Sequence, residues 1–540
     1  MDKNINMNRI CGVDEFGRII STTNGVNNGK EVGLFYFLWL GHQDDGIYNI
    51  DELLEKNPAA LWDKSGPEES PLWGFHYWGE PLYGYYKSKE EFVIRKHIEM
   101  FIMAGIDYIV TDCTNALIYP EALGNLMRIL NEYRLAGWKI PKVACYTNSS
   151  SANTINTIYI SFYEKANLYP EVWYKPNGKP VIIGRVSKGE LDKQIEDFFE
   201  IWQAQWPNEG YFENGFSWME WVYPQPLHGK FMSVSVAQHS KGGFCLCDGN
   251  WGRGYDHKGN ENHDSYRLGQ NIQSQWDTAI EKDAQNVFVT GWNEWGAQKI
   301  YHENSIVFID CFNEEYSRDI EPMKDGYHDA FYLQLISDIR RFKKQEKNLD
   351  TNKSKTIHIN EDINQWNEIT YIYEALNLQN PYRDADTVQK GLTYHTTPAV
   401  NNIQRIKVTH DHANIYFLIE AENEISNTHT PNWMNLFISA GEPKTQGWES
   451  YTHVVNRRCP GSLDKLNQSG NTISYCETNY TIDGKYMQIQ IPRNVIGADE
   501  NCPCIYFKVA DSVDKFKDIN DYYVSGKCMP MGRLSYNYNL

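Results

Sequence analysis

Long apolar runs are missing from this chain of 540 residues. None reaches the length of a membrane span, and Met1 to Ile10 lack the apolar core of a signal peptide. The expectation is a soluble, cytoplasmic protein, or a secreted or periplasmic one whose leader has been removed. Basic charge is also scarce: 51 Lys and Arg stand against 70 Asp and Glu, a formal charge of −19. Nucleic acid and anionic membranes need basic patches, so neither is an expected partner. Cysteines number 11, an odd count with no regular framework. Cys245-x-Cys247 and Cys502-Pro-Cys504 are too tight for zinc-type spacing and have no matching His pair, so reduced thiols are expected. A P-loop, an H-E-x-x-H helix and a nucleophile elbow are absent as well, and no metal or cofactor is expected. The sequence sets no oligomeric state.

What is abundant is aromatic: 14% of the chain, with 17 Trp and 36 Tyr. Such an excess suits a large core and also surfaces that bind flat, hydroxylated ligands. Residues 32–345 alternate strand and helix patterns. Strands are predicted at Val32–Leu40, Asp107–Thr111, Lys142–Thr147, Pro180–Arg185, Gly215–Trp221, Phe231–Ala237, Val287–Thr290 and Ile306–Asp310. Ser88-Lys-Glu-Glu91 reads as a capping box ahead of Ile94, Ile98, Phe101 and Ile102 on one helical face. Pro120 and Gly137 bracket a second helix, and further helices are predicted over Lys188–Trp206, Asp264–Lys282 and His328–Lys344. This pattern predicts an α/β fold, a (β/α)8 TIM barrel with a long insertion, His42 to Lys87, after its first strand. A doubly wound sheet is the alternative, weakened because no G-x-G-x-x-G follows an early strand.

The polar stretch KKQEKNLDTNKSKT over 343–356 reads as a linker. Beyond it come short alternating segments such as Ile415–Ile419, Met434–Ile438 and Met487–Pro492, which predict an all-β sandwich. The expected organisation is a catalytic barrel with its N-terminal extension over 1–345, a linker over 346–355 and a β-sandwich over 356–540.

Catalytic side chains of such a barrel sit at the C-terminal ends of its strands. Residues 287–295, Val-Phe-Val-Thr-Gly-Trp-Asn-Glu-Trp, run from an apolar strand into Glu294 between Trp292 and Trp295. Glu220 follows Phe216–Met219 between two indoles, and Asp112 follows Tyr108–Thr111. Glycosidic cleavage needs a proton donor and a second carboxylate. Glu294, Glu220 and Asp112 are therefore the catalytic candidates. Structural alternatives are a turn-capping Asp112, a salt-bridged core Glu220, and an Asp310 that bonds Arg318 or Asn313. Sugar-holding candidates are Trp292, Asn293, Trp295, Tyr36, Asn115, Tyr146 and Asp310, with His239 at another strand end and Arg253 in a glycine-rich loop. His76 and Trp78 come from Trp73-Gly-Phe-His-Tyr-Trp-Gly-Glu80 in the insertion, where Trp73 and Phe75 are equally open to packing on the barrel rim.

Trp292-Asn-Glu-Trp295 on a late strand resembles the glycoside hydrolase family 71/99-like group of (β/α)8 barrels acting on glycans. Family 99 members carry a longer Asn-Glu-Trp-His-Glu-Gly signature with two catalytic glutamates. The first matches Glu294; the second falls at 297, which is Ala297 here. The barrel is also similar to bacterial proteins of this group through Phe35–Trp39, Tyr223-Pro-Gln225, Met232–Gln238 and Glu315–Pro322. The tail resembles a family 9 carbohydrate-binding-module-like domain through Ile415–Leu418, Trp433-Met434, Val455–Arg457, Ile491–Arg493 and Asp521–Tyr523. Together these imply a glycosidase with a carbohydrate substrate. Two alternatives stand beside it: a non-catalytic glycan-binding barrel, favoured by Ala297, and a carbohydrate lyase with Tyr36 or Tyr146 as base.

Overall fold

The computed structural model describes every residue except 1, 2, 27, 43–45, 165, 166, 239–243, 246–249, 259–262, 303, 349 and 371. The chain divides into two compact units. One comprises Asn27–Lys344 with Ala385–Tyr394; the other comprises Met1–Val26, Gln345–Asp384 and His395–Leu540.

The first unit is built on eight parallel strands: β1 (Glu31–Tyr36), β2 (Tyr108–Cys113), β3 (Lys142–Thr147), β4 (Val181–Gly184), β5 (Glu200–Gln205), β6 (Phe216–Ser217), β7 (Phe231–Ser235) and β8 (Asn286–Thr290). Their order is β6-β5-β4-β3-β2-β1-β8-β7, so neighbours in the chain are neighbours in the sheet. In-register pairs such as Val32 with Val287 and Tyr36 with Thr111 join β1 to both sides. Between β6 and β7 the seam is bridged by the Ser233 hydroxyl donating to the Ser217 carbonyl, so the barrel is nearly closed. Inside, Phe288 meets Phe35 at 5.6 Å and Phe216 at 4.9 Å between ring centroids. Burying each such ring contributes about 2–3 kcal/mol.

The number of strands agrees with the sequence pattern; two identities do not. The segment expected as one helix over Lys188–Trp206 splits into a short helix, Lys193–Phe198, and strand β5. Its apolar residues Ile195, Phe198, Ile201 and Trp202 fit a helical face well enough to hide a strand, and pairing with β4 decides the outcome. Ile306–Asp310, expected as the eighth barrel strand, instead forms the antiparallel strand Ser305–Ile309 beside Gly296–His302. Both belong to a five-stranded accessory sheet that includes Phe75–Tyr77 and Tyr48–Asn49 from the insertion. Ser88 forms no capping box either. The helix Glu91–Ala104 starts after Glu90 without a side-chain cap, and the Ser88 hydroxyl accepts from the Leu40 amide. Among the described residues no helix is long and apolar enough to cross a membrane.

The second unit is all-β apart from short helical turns, with a nine-stranded and a five-stranded antiparallel sheet. Phe417 of the smaller sheet packs on Phe507 of the larger at 5.1 Å, and Tyr373 on Tyr536 at 4.7 Å. The facing sheets form a sandwich. Residues 1–26 were expected as an extension of the barrel. They belong here, because Ile10 and Cys11 pair with Tyr536 and Ser535. Trp433 and Trp448 are both buried. The Trp433 indole donates to the Ser426 carbonyl, and Trp448 packs on Phe437.

Candidate active site

A cavity of about 520 Å³ opens at the C-terminal ends of the barrel strands. After β1, Phe37 and Trp39 join its wall above Phe35; β2 contributes Asp112, and the loop after it Asn115 and Tyr119. Trp206 follows β5, while Trp218 and Trp221 follow β6. Glu294 and Gln298 follow β8, and Phe75, Asp310 and Arg318 complete the wall. Trp39 lies so close over Gly296 that a Cβ there would sit 2.3 Å from its ring, so the glycine makes room for the indole.

Three carboxylates and one guanidinium share this space. Arg318 Nη2 donates to Glu294 Oε2 at 2.6 Å, and Arg318 Nη1 to Asp310 Oδ1 at 3.4 Å. The Arg318 guanidinium also stacks over Trp218 at 4.8 Å. Glu294 is fixed through its backbone. Its amide donates to Asp319 Oδ1 at 2.7 Å, and its carbonyl accepts from the Trp78 indole at 2.8 Å. Burial pushes the Glu294 carboxyl well above the usual carboxylate range. Arg318 pulls against that shift, whereas Asp310 and Asp319 add to it. Asp112, whose Oδ1 accepts from the Thr114 amide at 3.0 Å, is pushed up by burial and further by Asp310. Arg318 keeps its charge, its loss of solvation outweighed by the acids around it. The group thus has acidic protons held at higher pH than usual beside a permanent cation, an arrangement suited to proton donation. Asp310 adopts a left-handed backbone with φ 68°, which Asp tolerates better than most residues.

Of the residues singled out in the sequence, Glu294, Asp112, Asn115 and Asp310 line the cavity. The others go elsewhere. Glu220 turns from the cavity to His228, Oε1 to Nε2 at 2.9 Å, and its amide donates to Gln225 at 2.9 Å. It braces the loop that carries Trp218 and Trp221, as a core Glu does. Trp292 is buried against Phe101 at 4.8 Å, and Trp295 stacks on Trp78 at 4.2 Å; neither Trp292, Trp295 nor Trp78 exposes a face for a ligand. Asn293 accepts from the Phe37 amide at 2.8 Å and donates to its carbonyl at 3.1 Å, so it clamps a wall residue instead of touching the cavity. His76 is buried between the Ser70 hydroxyl and the Gly74 carbonyl, and burial lowers it to about 4. The Tyr36 hydroxyl lies 2.9 Å from His97 Nδ1, and the Tyr146 hydroxyl donates to the Phe216 carbonyl at 2.9 Å inside the barrel. Both are sealed from solvent, which leaves neither as a base for the lyase alternative. Arg253 is buried under Tyr327 and Phe331 and bonds Ser317 at 2.6 Å. His239 lies outside the described residues.

The sequence reading missed Trp39, Trp206, Trp218, Trp221 and Tyr119 as wall residues, and Arg318 as the central cation. The signal for the first four was position: each follows the end of a barrel strand. Trp206 was hidden with β5. Arg318 was marked in the sequence only as a partner for Asp310, a contact the structure contains, and nothing signalled its bond to Glu294, which it reaches from a loop 24 residues away. Among the described residues no group of three or more His, Cys, Asp or Glu side chains is placed to hold a metal ion.

No family model matches the chain, and no curated protein is similar to it. Solved structures of a GH99 endo-α-mannosidase from Bacteroides thetaiotaomicron are similar to it at low level. One, in complex with bis-tris propane, has 13% identity and a TM-score of 0.33, covering 59% of this chain and 99% of its own. The other has 14% identity and a TM-score of 0.32 over the same shares.

Proposed function

We propose that the barrel is a glycosidase that cleaves a glycan or oligosaccharide between Glu294 and the two aspartates Asp112 and Asp310. The observation that carries this reading is the cavity itself: three carboxylates and a guanidinium within a wall of Trp39, Trp206, Trp218 and Trp221. Indoles offer the apolar faces of sugar rings a broad surface, while the acids supply the two roles that glycosidic cleavage requires. Glu294 is the proton donor in this reading. Its Oε2 is occupied by Arg318, which leaves Oε1 as the atom to carry the donated proton, and burial raises the carboxyl in the direction that favours holding it. Asp310, held at the far side of the same guanidinium, supports positive charge at the anomeric carbon or activates water. Asp112 is the alternative for that second role.

One observation favours a second reading. Arg318 engages Glu294 and Asp310 together, so one cation neutralises two of the three acids, an arrangement equally suited to a barrel that binds glycan without cutting it.

The test is incubation of the protein with a panel of polysaccharides and aryl glycosides, with chromatography of the products. The glycosidase reading expects new reducing ends from at least one substrate, and a loss of about 100-fold in turnover in either Asp310→Asn or Asp112→Asn, whichever is the second acid. Binding without any cleavage across the panel overturns it in favour of the binding protein.

A further inference from the structure

Trp73 stands out in the barrel unit because two features that folding disfavours coincide in it. Its backbone is left-handed, φ 67°, a region in which bulky side chains are rare. Its residue surface is 62% exposed, more than that of Trp62 at 46%. Strain of this kind persists only where surrounding structure enforces it, and it gathers at ligand clamps. The enforcement is visible. The Trp73 amide donates to the Lys299 carbonyl at 2.7 Å, and the Trp73 carbonyl accepts from Gln298 Nε2 at 3.2 Å. Lys299 in turn anchors the insertion by donating to the Ala60 and Ser70 carbonyls, each at 2.8 Å.

Position ties the backbone of this residue to the cavity wall. The strand Gly296–His302 sends Gly296 and Gln298 to the cavity wall, while the alternating Ala297 and Lys299 are buried on its other side. The Trp73 carbonyl is held by Gln298, a cavity residue, and Phe75, two residues on, is another. Trp62, at the end of the short helix Pro58–Trp62, and Tyr301, on the strand Gly296–His302, are exposed aromatics that do not share this placement. Trp62 packs on Phe308, the partner of Lys299, and Tyr301 follows the Lys299 side of the alternation.

We propose that Trp73 is an outer stacking platform for a sugar unit beyond those held in the cavity, so that the substrate is an oligosaccharide or polysaccharide running out along the accessory sheet. This rests on the glycan reading above and adds to it a preference for longer chains. The experiment is calorimetric titration of manno- and gluco-oligosaccharides, from monosaccharide to hexasaccharide, into the native protein, Trp73→Asn and Trp73→Phe. Asn adopts the left-handed region readily, so Trp73→Asn is expected to keep or raise the melting temperature, which separates a binding role from a structural one. The proposal expects Trp73→Asn to weaken the hexasaccharide roughly fivefold, the scale of one aromatic stacking contact, with short sugars unaffected and Trp73→Phe restoring most of the loss. Equal hexasaccharide affinity in native protein and Trp73→Asn, or an equal loss for monosaccharide and hexasaccharide, overturns the platform alone. Native protein that binds neither ladder at any length overturns the glycan reading, and the platform with it.

Discussion

Two glutamates, the half-buried Glu294 on the cavity wall and the fully buried Glu321 in the packed interior, show how the same side chain is put to different use. Glu321 is saturated. Its Oε1 is 2.8 Å from His97 Nε2, while its Oε2 accepts from the Tyr86 hydroxyl at 2.7 Å and the Trp295 indole at 2.6 Å. His97 passes the network on to Tyr36, and Tyr86 accepts from Asn293 at 3.2 Å. Glu294 has Arg318 on one oxygen and faces the cavity. A carboxylate whose oxygens are filled by protein donors holds a fold together; one left partly open to a cleft is available for chemistry. Tryptophans divide by place as well. Trp292 and Trp295 go to the sealed interior, while Trp39 and Trp218, though largely buried, reach the cavity wall.

The comparison breaks most severely at the interior glutamate. Glu321→Ala strands His97, Tyr86 and Trp295 without an acceptor, and a loss of about 3–5 kcal/mol is expected in denaturant unfolding. An unchanged midpoint would make the network incidental. A smaller effect is expected from Asn293→Ala, about 1–3 kcal/mol, because the amide and carbonyl of Phe37 lose their buried partner. That loss should be accompanied by weaker glycan binding as Phe37 shifts, whereas stability lost with binding intact would confine Asn293 to the core.

The smallest effect concerns pH. Asp319 joins the two regions, accepting from the Glu294 amide while burial raises its carboxyl to about 6. A raised carboxyl contributes stability that is fully present below the ordinary aspartate range and is lost as pH rises through about 6. Thermal melts across that window should therefore fall with pH in the native protein and fall less in Asp319→Asn, which keeps the amide contact. Parallel curves would contradict the assignment.

The α/β barrel and the β-sandwich were legible because periodicity reports buried faces. What escaped was pairing. Ile201 and Trp202 satisfy a helical or an extended pattern, and only the β4 partner makes them β5. Ile306–Ile309 reads as any buried strand, and its antiparallel neighbour removes it from the barrel. Strand-end position marked Glu294 and Asp112, and both line the cavity. The direction of each following side chain was not readable, since it depends on contacts far along the chain: Asn293 on Phe37, Trp295 on Glu321, Glu220 on His228. Aromatic density gave no help, as an indole fits a core as well as a sugar.

The most direct test of the open carboxylate is Glu294→Gln, measured together for glycan turnover and melting temperature. Gln retains the shape and one acceptor for Arg318 while losing the acid. Turnover is expected to fall by a factor of about 100 or more with the melting temperature nearly unchanged. Native-level turnover in a folded Glu294→Gln protein would contradict the account.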